Sequence, residues 1–207
     1  MTSVVILDYG SGNVRSAQRA VETTGAKVSI SADFDEALEA DALLVPGVGA
    51  FSACVQGIKN VRGEQIIGRR LAGGRPVLGI CVGMQLFSEQ GYEEQVTEGF
   101  GWIKGSVKKI EINNKDLKLP HMGWNEVNVV KKNDLFLDIK NLSHFYFVHS
   151  FAFEAKDEKD VICTTDYENP VVAGILKENI FGTQFHPEKS QSNGIKLLSN
   201  FLNWNLL

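Results

Sequence analysis

Cysteine is scarce in this sequence. Cys54, Cys81 and Cys163 have no paired spacing, which excludes a disulfide framework and a zinc site. So few unpaired thiols point to a reducing compartment, and the expected location is the cytoplasm; no metal and no cofactor is expected. Basic charge is short too: 21 Lys and Arg stand against 25 Asp and Glu, for a net charge of −4, and no long basic run occurs. Nucleic acid and anionic membrane surfaces are thereby excluded as expected partners. No apolar stretch approaches the roughly 20 residues needed to span a bilayer. The opening residues lack a charged n-region and read as a first strand rather than a signal peptide. Linkers, repeats and low-complexity segments are also missing, so residues 1–207 are expected to form one domain.

What is present is ordinary globular material, 43% hydrophobic and 22% charged, enough for a substantial core. The first half alternates short apolar runs with amphipathic stretches. Strands are predicted at 4–7, 27–30, 42–45 (ending at Pro46) and 77–80. Helices are predicted at 14–23, 33–39, 51–60, 64–72 and 82–90. Repeated βα units imply an α/β fold: an open, mostly parallel twisted sheet with helices on both faces. After about residue 99 the pattern turns β-rich, at 106–112, 126–130, 144–153, 161–165, 171–176 and 180–185, which predicts added antiparallel strands. An apolar stripe over 189–203 predicts a last helix packed on the sheet. The acidic segment 154–160 reads as a solvated loop.

One run carries the chemistry. Gly79-Ile80-Cys81-Val82-Gly83-Met84-Gln85 follows the apolar Pro76-Val77-Leu78. Strand, sharp turn and helix there make the cysteine counterpart of the Gly-x-Ser-x-Gly elbow, with glycines on either side because a Cβ would collide with the strand or helix. A free thiol is only a few per cent ionised at pH 7, so a base is needed beyond the favourable N–H groups of the helix start. His186 is the strongest candidate among four histidines. It ends the apolar run 180–185 and precedes Pro187-Glu188. Residues two apart in extended chain face one side, so Glu188 can hold one imidazole nitrogen while the other faces the thiol. A surface turn is the bland alternative for His186 taken alone. His121 and His144 read as structural, and Cys54 and Cys163 as small buried apolar residues.

Pro46-Gly47-Val48-Gly49-Ala50-Phe51 also follows a strand, and its glycines let backbone pass close to a ligand. The Val82 amide is expected as one oxyanion donor, with Val48 or Gly49 supplying a second. A plain turn is the alternative for that run, and a solvated helix residue for Gln85, which shares a helix face with Cys81.

Taken together, Gly-x-Cys-x-Gly-x-Gln and the late His-Pro-Glu resemble the class I, or triad, glutamine amidotransferases over nearly the whole chain. The resemblance implies hydrolysis of glutamine's side-chain amide through a Cys81 thioester, with His186 shuttling protons and Glu188 orienting it. Asp8-Tyr9-Gly10-Ser11-Gly12-Asn13, Pro46–Phe51, Pro120-His121-Met122-Gly123-Trp124-Asn125 and Tyr146-Phe147-Val148-His149-Ser150 are similar to one subfamily, a glutaminase subunit of a two-subunit enzyme. By that resemblance Gly47, Gly49, Gln85, His149 and Ser150 line the glutamine pocket. Asn13, Arg19, Trp124, Asn125, Tyr146 and Lys189 lie at or near the contact with a (β/α)8-barrel synthase subunit. This heterodimer partner takes the ammonia through an internal tunnel. The resemblance further implies that the Val48 amide points away from the thiol until the partner is loaded. The alternatives are the same chemistry feeding another ammonia acceptor, a cysteine peptidase using the same elbow, and a non-catalytic regulatory subunit.

Overall fold

The computed structural model of the protein describes residues 1–204. The chain opens with β1 (Ser3–Leu7), α1 (Val14–Glu22), β2 (Lys27–Ser31), α2 (Phe34–Glu39) and β3 (Ala42–Gly47). It continues through α3 (Phe51–Asn60), α4 (Gly63–Ala72), β4 (Val77–Cys81) and the single-turn α5 (Val82–Gln85). Short strands β5 (Gln90–Tyr92), β6 (Val96–Glu98) and β7 (Gly105–Lys109) follow. Then come β8 (His121–Val129), β9 (Ser143–His149), β10 (Phe151–Ala155), β11 (Val161–Tyr167), β12 (Asn169–Lys177), β13 (Ile180–Thr183) and α6 (Gln191–Leu202).

Nine strands form the main sheet in the order β2-β1-β3-β4-β13-β12-β11-β8-β9. The β2-to-β13 half is parallel, and the β12-to-β9 half antiparallel. A smaller sheet runs β10-β7-β5-β6. The central parallel strands β3 and β4 are buried at every position, as strands covered on both faces must be. Helices pack in two groups, α1 with α6 and α2 and α3 with α4. One apolar cluster runs from Val4 to Phe201 and joins both halves. Among the described residues no helix is long and apolar enough to cross a membrane.

Local chemistry sets the element ends. Asp33 caps α2, its carboxylate accepting the Glu36 amide at 2.9 Å. The C-terminal carbonyls of α2 are capped by fully buried Arg70, which donates to Ala37, Leu38 and Ala40.

Several expected elements differ. The helix predicted over 82–90 stops after one turn, because the returning chain takes its last carbonyls: the amides of Gly99, Phe100, Gly101 and Ile103 bond Glu89, Leu86, Ser88 and Phe87. A Cβ on Gly99 would lie 2.2 Å from the Ser88 carbonyl, so that close approach needs glycine. The predicted 144–153 strand breaks at Ser150 into β9 and β10, which belong to different sheets. The third strand runs past Pro46 to Gly47. The last helix is preceded by a separate 3-10 turn, Pro187–Lys189. The acidic segment is not a loop: Glu154 lies in β10, and buried Asp160 ends a 3-10 turn.

Candidate active site

The strand order assembles the site. β3, β4 and β13 are parallel neighbours, with Gly47 paired to Cys81 and Thr183 to Ile80. Their C-terminal ends share one sheet edge, where ligand sites gather in such sheets. Cys81 ends β4 and His186 comes three residues after the end of β13.

Cys81 has φ +56° and ψ −115°, a backbone conformation that costs of the order of 1–3 kcal/mol and marks a sharp elbow. Both flanking glycines are required. A Cβ on Gly83 would sit 1.8 Å from the Val45 carbonyl, and one on Gly79 would meet the Phe87 ring at 2.5 Å. Val82 begins α5 directly after the thiol and lines the same cavity.

His186 is 1% exposed. Its Nδ1 lies 2.7 Å from Glu188 Oε1, and both side chains are buried. Its backbone is held by its own N–H to Tyr146 O at 2.9 Å and by the Ser190 hydroxyl on its carbonyl at 2.6 Å. The other ring nitrogen, Nε2, is buried without a hydrogen-bond partner. Burial opposes the charged imidazole, but Cys81 and Glu188 outweigh it and raise His186 to about 10. The imidazole therefore holds a proton at neutral pH.

Cys81 and His186 share a cavity of about 430 Å³ with Gln85, His149, Ser150 and Glu93, large enough for a small polar molecule. Gly49 lines it too, whereas Gly47 lies beneath, where a Cβ would come within 2.5 Å of the Gly83 nitrogen. Glu93, unmarked by any motif, is the one carboxylate lining this cavity among the described residues; it also accepts the Phe51 amide at 2.7 Å. A wider groove of about 830 Å³ over β7 and β10 has neither thiol nor imidazole, and two of its lysines pair with Glu154 and Asp157.

The loop after β3 departs from the simple expectation for an oxyanion donor. The Val48 N–H donates to Ser11 Oγ at 3.2 Å, and the Ser11 hydroxyl donates to Val48 O at 2.6 Å. The Val48 amide is thus engaged by Ser11 in this conformation. Tyr9 donates to Pro46 O at 2.6 Å. Cys54 is more than an apolar filler: its sulfur lies 3.2 Å from Ser11 Oγ and 3.4 Å from Val48 O.

His149 and His121 form a buried pair, Nε2 to Nδ1 at 3.1 Å. Burial lowers His149 to about 3 and His121 to about 4, so both are neutral at pH 7. Asn125 turns inward, toward His121 Nε2 (3.1 Å) and Asp166 O (2.8 Å). Trp124 and Tyr146 meet edge to face at 6.0 Å, with the Lys189 ammonium 5.7 Å above the Tyr146 ring. Trp124 is 46% exposed and neighbouring Met122 62%, so this side of the rim is apolar and open. Asn13 precedes α1 and Arg19 is exposed in its last turn; α1 packs on the Pro187–Lys189 turn.

A thiol, a proton-holding imidazole and a buried carboxylate in this order can form and break a thioester. Comparison with known proteins narrows that chemistry. The family model "Glutamine amidotransferase class-I" matches residues 5–204. The imidazole glycerol phosphate synthase subunit HisH of Pelagibacter ubique is 44% identical over 206 residues, covering 97% of this chain and 99% of its own. The protein of the same name from Thermobifida fusca is 47% identical over 208 residues, covering 96% and 97%. Among solved structures, PurLQS from Thermotoga maritima superposes with a TM-score of 0.74 at 21% identity over 98% of each chain, a likeness of fold alone.

Proposed function

The chain belongs to the class-I glutamine amidotransferases, and we propose that it is the glutaminase subunit of an imidazole glycerol phosphate synthase, in histidine biosynthesis. It hydrolyses L-glutamine to glutamate and hands the ammonia to a synthase subunit. The observation that carries this reading is the meeting of Cys81, His186 and Glu188 at one cavity, on a chain about 45% identical along nearly its whole length to curated HisH subunits.

In this mechanism the Cys81 sulfur attacks the side-chain carbonyl carbon of glutamine. The imidazolium of His186 gives its proton to the leaving amine, ammonia departs, and a γ-glutamyl thioester remains. Water then gives a proton to His186 and attacks the thioester, which frees glutamate and the thiol. Glu188 holds His186 Nδ1 and so fixes which nitrogen faces the sulfur. The tetrahedral oxyanion is met by the Val82 amide and, once the loop has turned, by Gly49 or Val48. Each such donor is worth about 3–4 kcal/mol of barrier. Gln85, His149 and Ser150 contact the substrate, and Glu93 answers its α-ammonium.

The partner is a (β/α)8-barrel synthase subunit in a heterodimer, which uses the ammonia to make imidazole glycerol phosphate and an aminoimidazole carboxamide ribotide. The open apolar rim around Trp124, Tyr146 and Lys189, with Asn13, Arg19 and Asn125 nearby, supports a docking face there. A sealed path between subunits keeps the ammonia from being protonated in water. Residues 1–207 act as one domain, which the family match over 5–204 and the main apolar cluster joining both halves of the sheet support, and they work in the cytoplasm. The test is glutamate release from glutamine with and without the synthase subunit and its nucleotide ligand. Release is expected to rise when both are added, and unchanged release contradicts the coupling.

A further inference from the structure

Gln184 is fully buried, two residues before His186, and the proposed reaction leaves it without a task. Its backbone is pinned by its N–H to Ala173 O at 2.9 Å. Its side-chain Nε2 faces the Cys81 sulfur at 3.7 Å.

The direction of that amide is dictated from elsewhere. The Phe151 carbonyl can only accept. It takes the Nδ1–H of His149 at 2.9 Å and the Nε2–H of Gln85 at 3.0 Å. Gln85 is thereby oriented, and its second Nε2–H meets Gln184 Oε1 at 3.0 Å. Gln184 has only its NH2 left to turn to the sulfur. On the far side, His149 Nε2 must accept from His121 Nδ1, and His121 Nε2 then accepts from Asn125. Every link has one polarity: reversing Gln85 or Asn125 sets two acceptors face to face, and reversing Gln184 sets its NH2 against the NH2 of Gln85.

We infer that Gln184 is a further catalytic residue of this site: its side-chain amide donates to the Cys81 sulfur as that sulfur becomes anionic, with Gln85 as the positioning residue that aims it. The inference rests on Cys81 being the nucleophile. A donor at 3.7 Å is loose against a neutral thiol and gains most when its acceptor is charged. It therefore helps to form the attacking thiolate rather than to hold substrate.

Gln184→Met keeps the volume and removes the donor; Gln184→Glu keeps the shape and, when ionised, sets an anion at the sulfur. Both leave His186 with Glu188, His149, Glu93, Tyr9 and Cys54 in place, the other ionisable groups around Cys81. Each full-length variant is assembled with the synthase subunit. The pH profile of Cys81 alkylation by iodoacetamide is read by peptide mass spectrometry, beside kcat and KM for glutamine. Loss of a hydrogen bond to a charged group predicts a fall in kcat of roughly 10–100-fold for Gln184→Met. KM stays within about twofold, and the alkylation midpoint moves up by about one pH unit. Gln184→Glu moves it further in the same direction. Ammonia-dependent synthesis by both complexes is unchanged. An assembled variant with the parent alkylation midpoint and kcat overturns the inference. So does a Gln184 side-chain NH2 resonance in the unmutated chain that fails to shift as Cys81 titrates, a reading that needs no variant to fold. Glutamine hydrolysis surviving Cys81→Ala instead sinks the reading of Cys81, whatever Gln184 does.

Discussion

The two walls of the cavity are fixed by opposite means. On the β4–β13 wall, thiol, imidazole and carboxylate are buried, the carboxylate holds the imidazole, and thiol and imidazole line the space a substrate enters. On the β3 wall, the Val48 amide is engaged by Ser11, and Tyr9 holds the adjoining Pro46 carbonyl. Thiol, imidazole and carboxylate are thus assembled in the isolated chain, while the amide proposed as a second oxyanion donor is bonded to Ser11.

The largest effects probe the assembled wall. Cys81→Ala is expected to lower glutamine-dependent glutamate release at least 10³-fold, because no other group on that wall can form the thioester. Ammonia-dependent synthesis in the complex should persist, and its loss would make Cys81 an assembly residue instead. Glu188→Gln removes the charge that helps hold His186 high and frees the ring to turn. A fall in kcat of about 10²–10⁴ is expected, and steady-state kinetics at saturating glutamine checks it.

Much of that wall was legible in the sequence. Glycine spacing around Cys81 announces an elbow, and two-residue spacing puts Glu188 beside His186. Alternating βα units place the ends of β4 and β13 on one edge. On the other wall the glycine-rich run 46–51 was legible, but the contact that holds it was not. Ser11 and Val48 are 37 residues apart, and neither residue type advertises the contact. Gln184 sits inside an apolar run and reads as part of a strand. β5 and β6 are three residues each and mostly polar, too short for periodicity to find. The break at Ser150 needs knowledge of which sheet each half joins, a long-range fact that local pattern does not carry.

Smaller effects probe the tethered wall and the support behind the pocket. Ser11→Ala frees the Val48 amide, so glutamate release without the partner should rise several-fold and stimulation by the partner should shrink in proportion. Equal basal rates in variant and parent would mean that Ser11 does not restrain the loop. The smallest effect concerns pH. His121 and His149 are lowered in the folded state to about 4 and 3, whereas an unfolded histidine titrates near ~6.5. Below ~6.5 the unfolded chain therefore binds more protons, and stability falls with pH toward 4 by at most about 1.4 kcal/mol per pH unit per histidine. His186, raised to about 10, works the other way, and its contribution is lost as pH rises through that value. Urea unfolding midpoints from pH 7 to 5 should show the acid limb, and His121→Gln should flatten it.

In the proposed reaction Cys81, set by His186 and Glu188, attacks the glutamine side chain. Incubation with an electrophilic glutamine analogue, followed by peptide mass spectrometry of the complex, tests it directly. One adduct per chain on the peptide bearing Cys81, prevented by excess glutamine and absent in Cys81→Ala, is the predicted result. Labelling of Cys54 or Cys163 instead, or no adduct under conditions in which glutamine is being hydrolysed, contradicts it.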